Sequence, residues 1–383
     1  MLETRTLRGQ LVCADGLSLS GRVTFSERIE AVEPALPAGD DQIVPGLIDL
    51  QVNGVGSHDV MAASPGEIAA IARSLAAEGV TAFLPTAITA PLDRLERVHD
   101  AVCQAAVMLE HEAAQAAIVG LHLEGPFISP ARLGIHPRFN LEPRGEALER
   151  VLAMEQLRMV TLAAELAGAR EAINRLAARG VVSAIGHSDA TLEEAMEAVS
   201  AGARMFTHLF NAMRPIHHRA PGVAVAGLLP SAALAALIAD GAHVHPAMLR
   251  LAFRARGHQG LILTSDRVAT PSDSGKERLT ASGADAMGGF ERMRGMGARE
   301  GAARCDSGVL AGSFTSLLDA VRLMIQVTGA SLSQAVAMAA ENPARLMRLS
   351  QQGTIAVGAR ADLLVLDRDL NLKAVFIGGR EVA

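Results

Sequence analysis

At 383 residues, half of them hydrophobic and only 3% aromatic, the chain is long enough for one large α/β domain with an appendage and must build its core from aliphatic side chains. A formal net charge of −6, with Lys276 and Lys373 as the only lysines, excludes a basic nucleic-acid footprint. Cys13, Cys103 and Cys305 are scattered without CxxC spacing, which argues against a disulfide framework. No apolar run of about 18 residues suggests a membrane span, and the opening "MLETRTLRGQ" lacks a signal-peptide core, so the expected location is the cytoplasm.

Residues 1–42 hold short β-like pieces, "TLRGQLVC", "GRVTFS" and "IEAVEP", separated by Gly, Asp, Ser and Pro. From Ile43 the rhythm changes to apolar runs alternating with Ala-rich helical segments. Ser64-Pro65-Gly66-Glu67 opens one helix as a capping box and Gly79 closes it; Thr191 to Glu194 opens another in the same way. Strands are expected at 43–52, 80–86, 117–124, 159–165, 181–188, 204–209, 234–241 and 260–266. Strands alternating with helices imply parallel pairing, and this number of units matches a (β/α)8 TIM-like barrel. An open doubly wound sheet is the rival.

The strand ends favour the barrel. Gln51 and Asn53, Thr86, His122 and Glu124, Glu165, His187, His208, Asp240 with His243, and Asp266 each stand at the carboxyl end of an apolar run. Barrel closure gathers such ends at one mouth. Beyond the barrel lie helical segments at about 314–328 and 331–347, and then a tail, "GTIAVGARADLLVLDRDLNLKAVFIGGREV", that returns to strands. The expected organisation is a small β-sandwich domain from 1–42 and 348–383 and a catalytic barrel over 43–347. The Gly-, Met- and Arg-rich stretch between Arg267 and Ser307 reads as a long loop over the mouth, with room for a hairpin.

Glu124, His187 and His208 end three different strands. A single such residue reads as a hydrogen-bonded rim side chain. One carboxylate with two imidazoles is a catalytic zinc set that leaves a position for water. Asp266, at the end of "LILTSD", is placed to take a proton from that water and return it to a leaving group.

"PGLIDLQVNG", "LHLEGPFIS", "IGHSDATLEEA", "THLFNAM", "IADGAHV", "LAGS" and "GARADLLVLD" occur in that order over most of the chain. Together they resemble the N-acetylglucosamine-6-phosphate deacetylase family of the amidohydrolase superfamily. The resemblance implies a (β/α)8 barrel, a small β domain from both termini, a homodimer and hydrolysis of an acetamide on an amino sugar phosphate. Many amidohydrolases end strand one with His-x-His, which helps hold a second metal; here Gln51 and Asn53 stand in those places, and neither lysine lies on a strand end. One metal per chain is therefore expected, on Glu124, His187 and His208, with Gln51 and Asn53 ordering water beside it. Zinc is the expected ion, and ferrous iron also suits these ligands.

By matching motifs, His136 is expected near the scissile carbonyl. Asn211, Ala212, His243 and the Leu310, Ala311, Gly312 segment are expected on the sugar, and Arg219 is expected to reach a neighbouring subunit's phosphate. His122, His217, His218, His245 and His58 look less committed. Arg267 departs from the family, which usually places a small residue after the catalytic Asp, and a cation there would lower the Asp266 pKa or crowd the sugar. The alternatives are another amidohydrolase reaction, on an N-acyl amino acid or cyclic amide, and a non-catalytic relative.

Overall fold

The computed structural model describes residues 2–13, 18–36, 39–110, 112–270, 297–299, 302–304 and 310–382. Eight parallel strands follow one another around a barrel: Leu47–Val52, Val80–Ile88, Leu121–Glu124, Leu157–Leu162, Val182–Ile185, Met205–Phe206, Leu234–Ile238 and Leu261–Thr264. The connections carry helices, among them Pro65–Ala77, Leu92–Leu109, Ala169–Ala178, Leu192–Ala201 and Pro246–Arg256. Both expected capping boxes form, at Ser64 with Glu67 and at Thr191 with Glu194. No helix among the described residues is long and apolar enough to cross a membrane.

The strands read as continuous apolar runs because both of their faces are covered. Alternation along each strand then sorts the side chains. Ile48, Leu50, Ala82, Met159, Ala184 and Ile262 gather in an interior cluster, whereas Leu47, Phe83, Leu123, Val160, Leu237 and Leu263 pack with the helices outside. In Leu121–Glu124 the same alternation sends both leucines outward and leaves His122 and Glu124 as the other pair. Ala344 and Met347, on the helix Glu341–Met347, join the interior cluster and plug its floor.

The seam between the eighth strand and the first is closed by a buried carboxylate. Asp49, fully buried, accepts from Thr264 Oγ1 at 2.9 Å and from the Ser265 and Gln51 backbone N–H groups at 3.2 Å. Just beyond, the Asn53 and Gly54 N–H groups donate to the Arg267 carbonyl at 2.8 and 3.0 Å. Burial pushes the Asp49 pKa up, against these hydrogen bonds.

The expected strand 43–52 is two strands. Gln42–Pro45 pairs in parallel with Arg5–Val12 and antiparallel with Leu363–Leu366, inside a seven-stranded sheet drawn from both ends of the chain. Leu47–Val52 turns into the barrel instead. Gly46 permits the turn, because a Cβ there would stand 2.3 Å from Thr81 Oγ1. The helical segment expected over 331–347 breaks at Ala340 into Leu332–Ala339 and Glu341–Met347. Pro343 explains the break: it lacks an N–H, and its ring opposes a continuous helix through residue 339.

Of the segment expected over the mouth, 271–296 lies outside the described residues, as do Lys276 and Cys305. Gly297–Arg299, Ala302–Arg304 and Leu310–Ser313 form a three-stranded antiparallel sheet.

Replacing Asp49 with Ala leaves two or three buried donors without acceptors, so Asp49→Ala should lower the unfolding free energy by about 2–4 kcal/mol in a urea titration. A loss below about 1 kcal/mol would show that the seam does not depend on this carboxylate.

Candidate active site

Glu124 ends the third strand, and His187, His208 and Asp266 each stand two residues beyond a strand, on backbone with positive φ of 47°, 28° and 48°. Non-glycine residues occupy that region at a cost, and here five do so around one cavity, with Phe210 at 82° and Ala212 at 49° joining these three. Gly186, just before His187, has no room for a side chain: a Cβ would meet Thr207 Cβ at 2.7 Å. The local folding is thus bent to aim these side chains inward.

They meet at one point. Glu124 Oε1 lies 3.1 Å from His187 Nε2 and 2.8 Å from His208 Nε2, and the two Nε2 atoms are 3.2 Å apart. Donors bound tetrahedrally at the usual 2.0–2.1 Å stand about 3.3 Å from one another, so this spacing suits three ligands of one small cation. A second grouping, Glu124 with His136 and His187, also falls within 4.8 Å. His136, however, approaches the other carboxylate oxygen, with Nε2 3.6 Å from Glu124 Oε2.

Hydrogen bonds set the tautomers. The Arg132 carbonyl lies 2.9 Å from His187 Nδ1, so Nδ1 carries the proton and Nε2 offers its lone pair. The Thr89 N–H donates to His136 Nδ1 at 3.4 Å, with Thr89 Oγ1 2.9 Å from the same nitrogen, so the His136 proton sits on Nε2, facing the cavity. His122, fully buried, meets the Leu50 carbonyl through Nδ1 at 3.1 Å and Thr161 Oγ1 through Nε2 at 2.9 Å. Burial pushes its pKa down to about 4, so it is a neutral strut beneath Glu124.

The two amides that end strand one each hold a carboxylate. Gln51 Nε2 donates to Glu124 Oε1 at 3.0 Å, and Asn53 Nδ2 donates to Asp266 Oδ1 at 2.8 Å. Among the described residues, Gln51 Oε1, Asn53 Oδ1 and His208 Nδ1 are buried without a protein partner. Buried polar atoms of this kind require water or a ligand.

The electrostatics are those of a crowded, dry site. Burial works to raise the Glu124 pKa, yet the imidazoles of His136, His187 and His208 packed around it hold it well below the usual carboxylate range. Burial opposes a charge on His208, but Glu124 and then Asp266 outweigh it and raise that pKa. His187 is pushed down to about 4 by burial and by neighbouring His136. Asp266 is pushed up to about 7 by burial and the Glu124 charge, against His208, His243 and Asn53.

A cavity of about 330 Å³ opens over these groups and brings together most of the expected substrate contacts: His136, Asn211, Ala212, His243 and Leu310 with Ala311 and Gly312. His243 is held by Asp240, with Nδ1 2.6 Å from Oδ2. Arg219 does not line the cavity; it is exposed, with Nη1 2.8 Å from His218 Nε2. Glu165 caps the Ser188–Asp189 turn, and His245 caps the helix Pro246–Arg256.

Arg267 neither depresses the Asp266 pKa nor crowds the mouth. Its side chain turns away to pair with Glu78, while its backbone completes the seam. Sequence reasoning missed Thr89 and Asp59. Thr89 follows a second strand that runs to Ile88, past the expected 86, whereas Thr86 Oγ1 accepts the Val52 N–H at 3.0 Å. Asp59 lines the cavity, with burial pushing its pKa up to about 6. Neither stood at an expected strand end.

A model of the amidohydrolase family matches residues 42–382. The chain belongs to the amidohydrolase family. Among amidohydrolase relatives, N-acetylglucosamine-6-phosphate deacetylase of Bos taurus is 36% identical over 393 residues, covering 98% of this chain and 92% of that protein. N-acetylgalactosamine-6-phosphate deacetylase of Escherichia coli O157:H7 is 34% identical over 376 residues, covering 97% and 94%. A solved structure of a mutant N-acetyl-D-glucosamine-6-phosphate deacetylase from Mycobacterium smegmatis, in complex with N-acetyl-D-glucosamine-6-phosphate, superposes with TM-score 0.85 at 32% identity and covers 100% of both chains. The family recognised from the sequence motifs agrees with these relatives over nearly the whole chain.

The site's charge balance gives a metal-loading prediction. Without a cation, the raised His208 and Asp266 pKa values keep protons in the site near pH 6.5. Adding zinc to chelator-stripped protein at that pH should release roughly one proton or more per chain, read by calorimetry in two buffers of different ionisation enthalpy. Zinc binding without proton release would contradict this electrostatic picture. Arg267→Ala should leave kcat/KM within about threefold, because the side chain points away from the cavity; a loss beyond about tenfold would overturn that placement.

Proposed function

We propose that this enzyme hydrolyses the acetamide of N-acetyl-D-glucosamine 6-phosphate, giving acetate and glucosamine 6-phosphate in amino sugar catabolism. The observation that carries the reading is the meeting of Glu124, His187 and His208 at single-ion spacing beneath a cavity flanked by Asp266 and His136. Glu124, His187 and His208 would hold a divalent ion, zinc or ferrous iron, which when bound would lower the pKa of a water and polarise the acetyl carbonyl.

The protein's own groups do the rest. Asp266, oriented by Asn53 at 2.8 Å, accepts the proton of the attacking water. A carboxylate whose pKa burial has raised is well matched to taking that proton and then giving it to the departing amine nitrogen as the C–N bond breaks. His136, with its proton on Nε2, donates to the carbonyl oxygen as charge develops there. Asn211, Ala212, His243 and the Leu310–Gly312 segment hold the sugar. Arg219, exposed on its own subunit, fits a role on the phosphate of a neighbouring subunit's substrate in a homodimer. The reading places the enzyme in the cytoplasm, where free Cys13 and Cys103 stay reduced.

The name of the Escherichia coli relative raises a second substrate, the galactosamine epimer. Acetate release by the zinc-loaded protein, measured side by side on both N-acetylated hexosamine 6-phosphates and on their unphosphorylated sugars, separates the readings. The expected result is turnover of N-acetylglucosamine 6-phosphate, a strong dependence on the phosphate, and a loss of kcat by about 10²–10⁴-fold in Asp266→Asn. Turnover indifferent to the phosphate, or an undiminished Asp266→Asn variant, would reject the reading.

A further inference from the structure

A second concavity, of about 650 Å³, opens at the end of the barrel opposite the active site. Its walls come from the residues that precede strands six, seven and eight: Arg204 before Met205–Phe206, Pro230 to Ala232 before Leu234–Ile238, and Gly260 before Leu261–Thr264. The plug helix Glu341–Met347 supplies another wall. Arg204, Arg256, Arg345 and Arg348 line this space, and among the described residues no acidic side chain does. Glu341, on the plug helix itself, is not among the lining residues.

Three of the guanidiniums are held by neutral groups. Arg204 Nη1 donates to the Ala203 and Val199 carbonyls at 2.9 and 3.3 Å, and Arg345 Nη2 donates to the Gln259 carbonyl at 3.1 Å. Half-buried Arg256 spans the pocket wall, donating to the Leu229, Ala233 and Gly260 carbonyls. The exposed Arg348 guanidinium lines the space without a side-chain hydrogen bond or ion pair to any described residue. Carbonyl oxygens satisfy N–H donors but leave the formal charges uncancelled. Four like charges in one concavity repel one another, in a chain whose net charge is −6. A dianionic group between them would relieve that repulsion and take charge-assisted hydrogen bonds from Arg348 and from the remaining N–H groups of the three guanidiniums that carbonyls hold in place.

We infer that this arginine pocket binds a small phosphorylated metabolite, separately from the catalytic mouth. Its volume suits a sugar phosphate or a nucleotide rather than a polymer. Because Ala344 and Met347 of the same helix plug the barrel interior, a bound anion also braces the barrel floor.

The test uses zinc-loaded, full-length enzyme titrated with inorganic phosphate by calorimetry, with ionic strength held by sodium chloride. The Arg345→Gln/Arg348→Gln double variant, which alters two exposed side chains, should bind phosphate about tenfold or more weakly while its kcat/KM at low phosphate stays that of the wild type. Arg348→Gln alone, which removes no described side-chain hydrogen bond or ion pair, should weaken phosphate several-fold and guards against misfolding of the double variant. Equal phosphate affinity in wild type and both variants would overturn the inference, because the anion would then sit elsewhere, the active site included. Wild type showing no binding beyond the chloride control would overturn it equally.

Discussion

The whole site depends on one unfavourable juxtaposition: a buried carboxylate and two imidazoles whose ligand atoms lie 2.8–3.2 Å apart, in a place water barely reaches. Two imidazole lone pairs cannot face each other at that distance without something positive between them or a proton shared among the three groups. In the protein alone a proton on His208 serves that role, favoured against burial by Glu124 and Asp266, which raise the His208 pKa, while burial and His136 push that of His187 down to about 4. A divalent cation suits the same geometry, and the neighbouring groups hold the three side chains in it. Gln51 steadies Glu124, the Arg132 carbonyl fixes the His187 tautomer, and the left-handed backbone at His187, His208 and Asp266 absorbs the cost of aiming side chains inward.

Barrel closure makes the juxtaposition possible, and Asp49 has a part in it that repetition of βα units alone does not supply. Its carboxylate reaches across the seam to Thr264 and Ser265, immediately before Asp266, and Gln51 N–H binds the same group. One buried acid therefore ties the strand that carries Gln51 and Asn53 to the strand that positions Asp266. At the far end Met347 and Ala344 plug the interior, so the barrel is packed from its floor up to the polar rim.

Much of this was legible in the sequence because strand periodicity and the polar strand ends are local signals. Apolar runs ending in Glu124, His187, His208 and Asp266 state both where the strands stop and what they deliver. What was not legible depends on three-dimensional neighbours. Nothing local marks Asp49 as a seam closer, since it reads as one acid inside an apolar run. The break at Gly46 is set by Thr81, far along the chain, and the role of Thr89 by the position of His136. Arg267 misled for the same reason: its position beside Asp266 in sequence says nothing of Glu78, which draws its side chain away.

The most direct test of a single cation shared by Glu124, His187 and His208 is anomalous diffraction at the zinc edge from crystals of the zinc-loaded protein. The account predicts one strong peak per chain, within about 2.0–2.2 Å of Glu124 Oε1, His187 Nε2 and His208 Nε2. A second peak bridged from the Gln51 side, a peak ligated by His136 in place of His208, or no peak at all would contradict it.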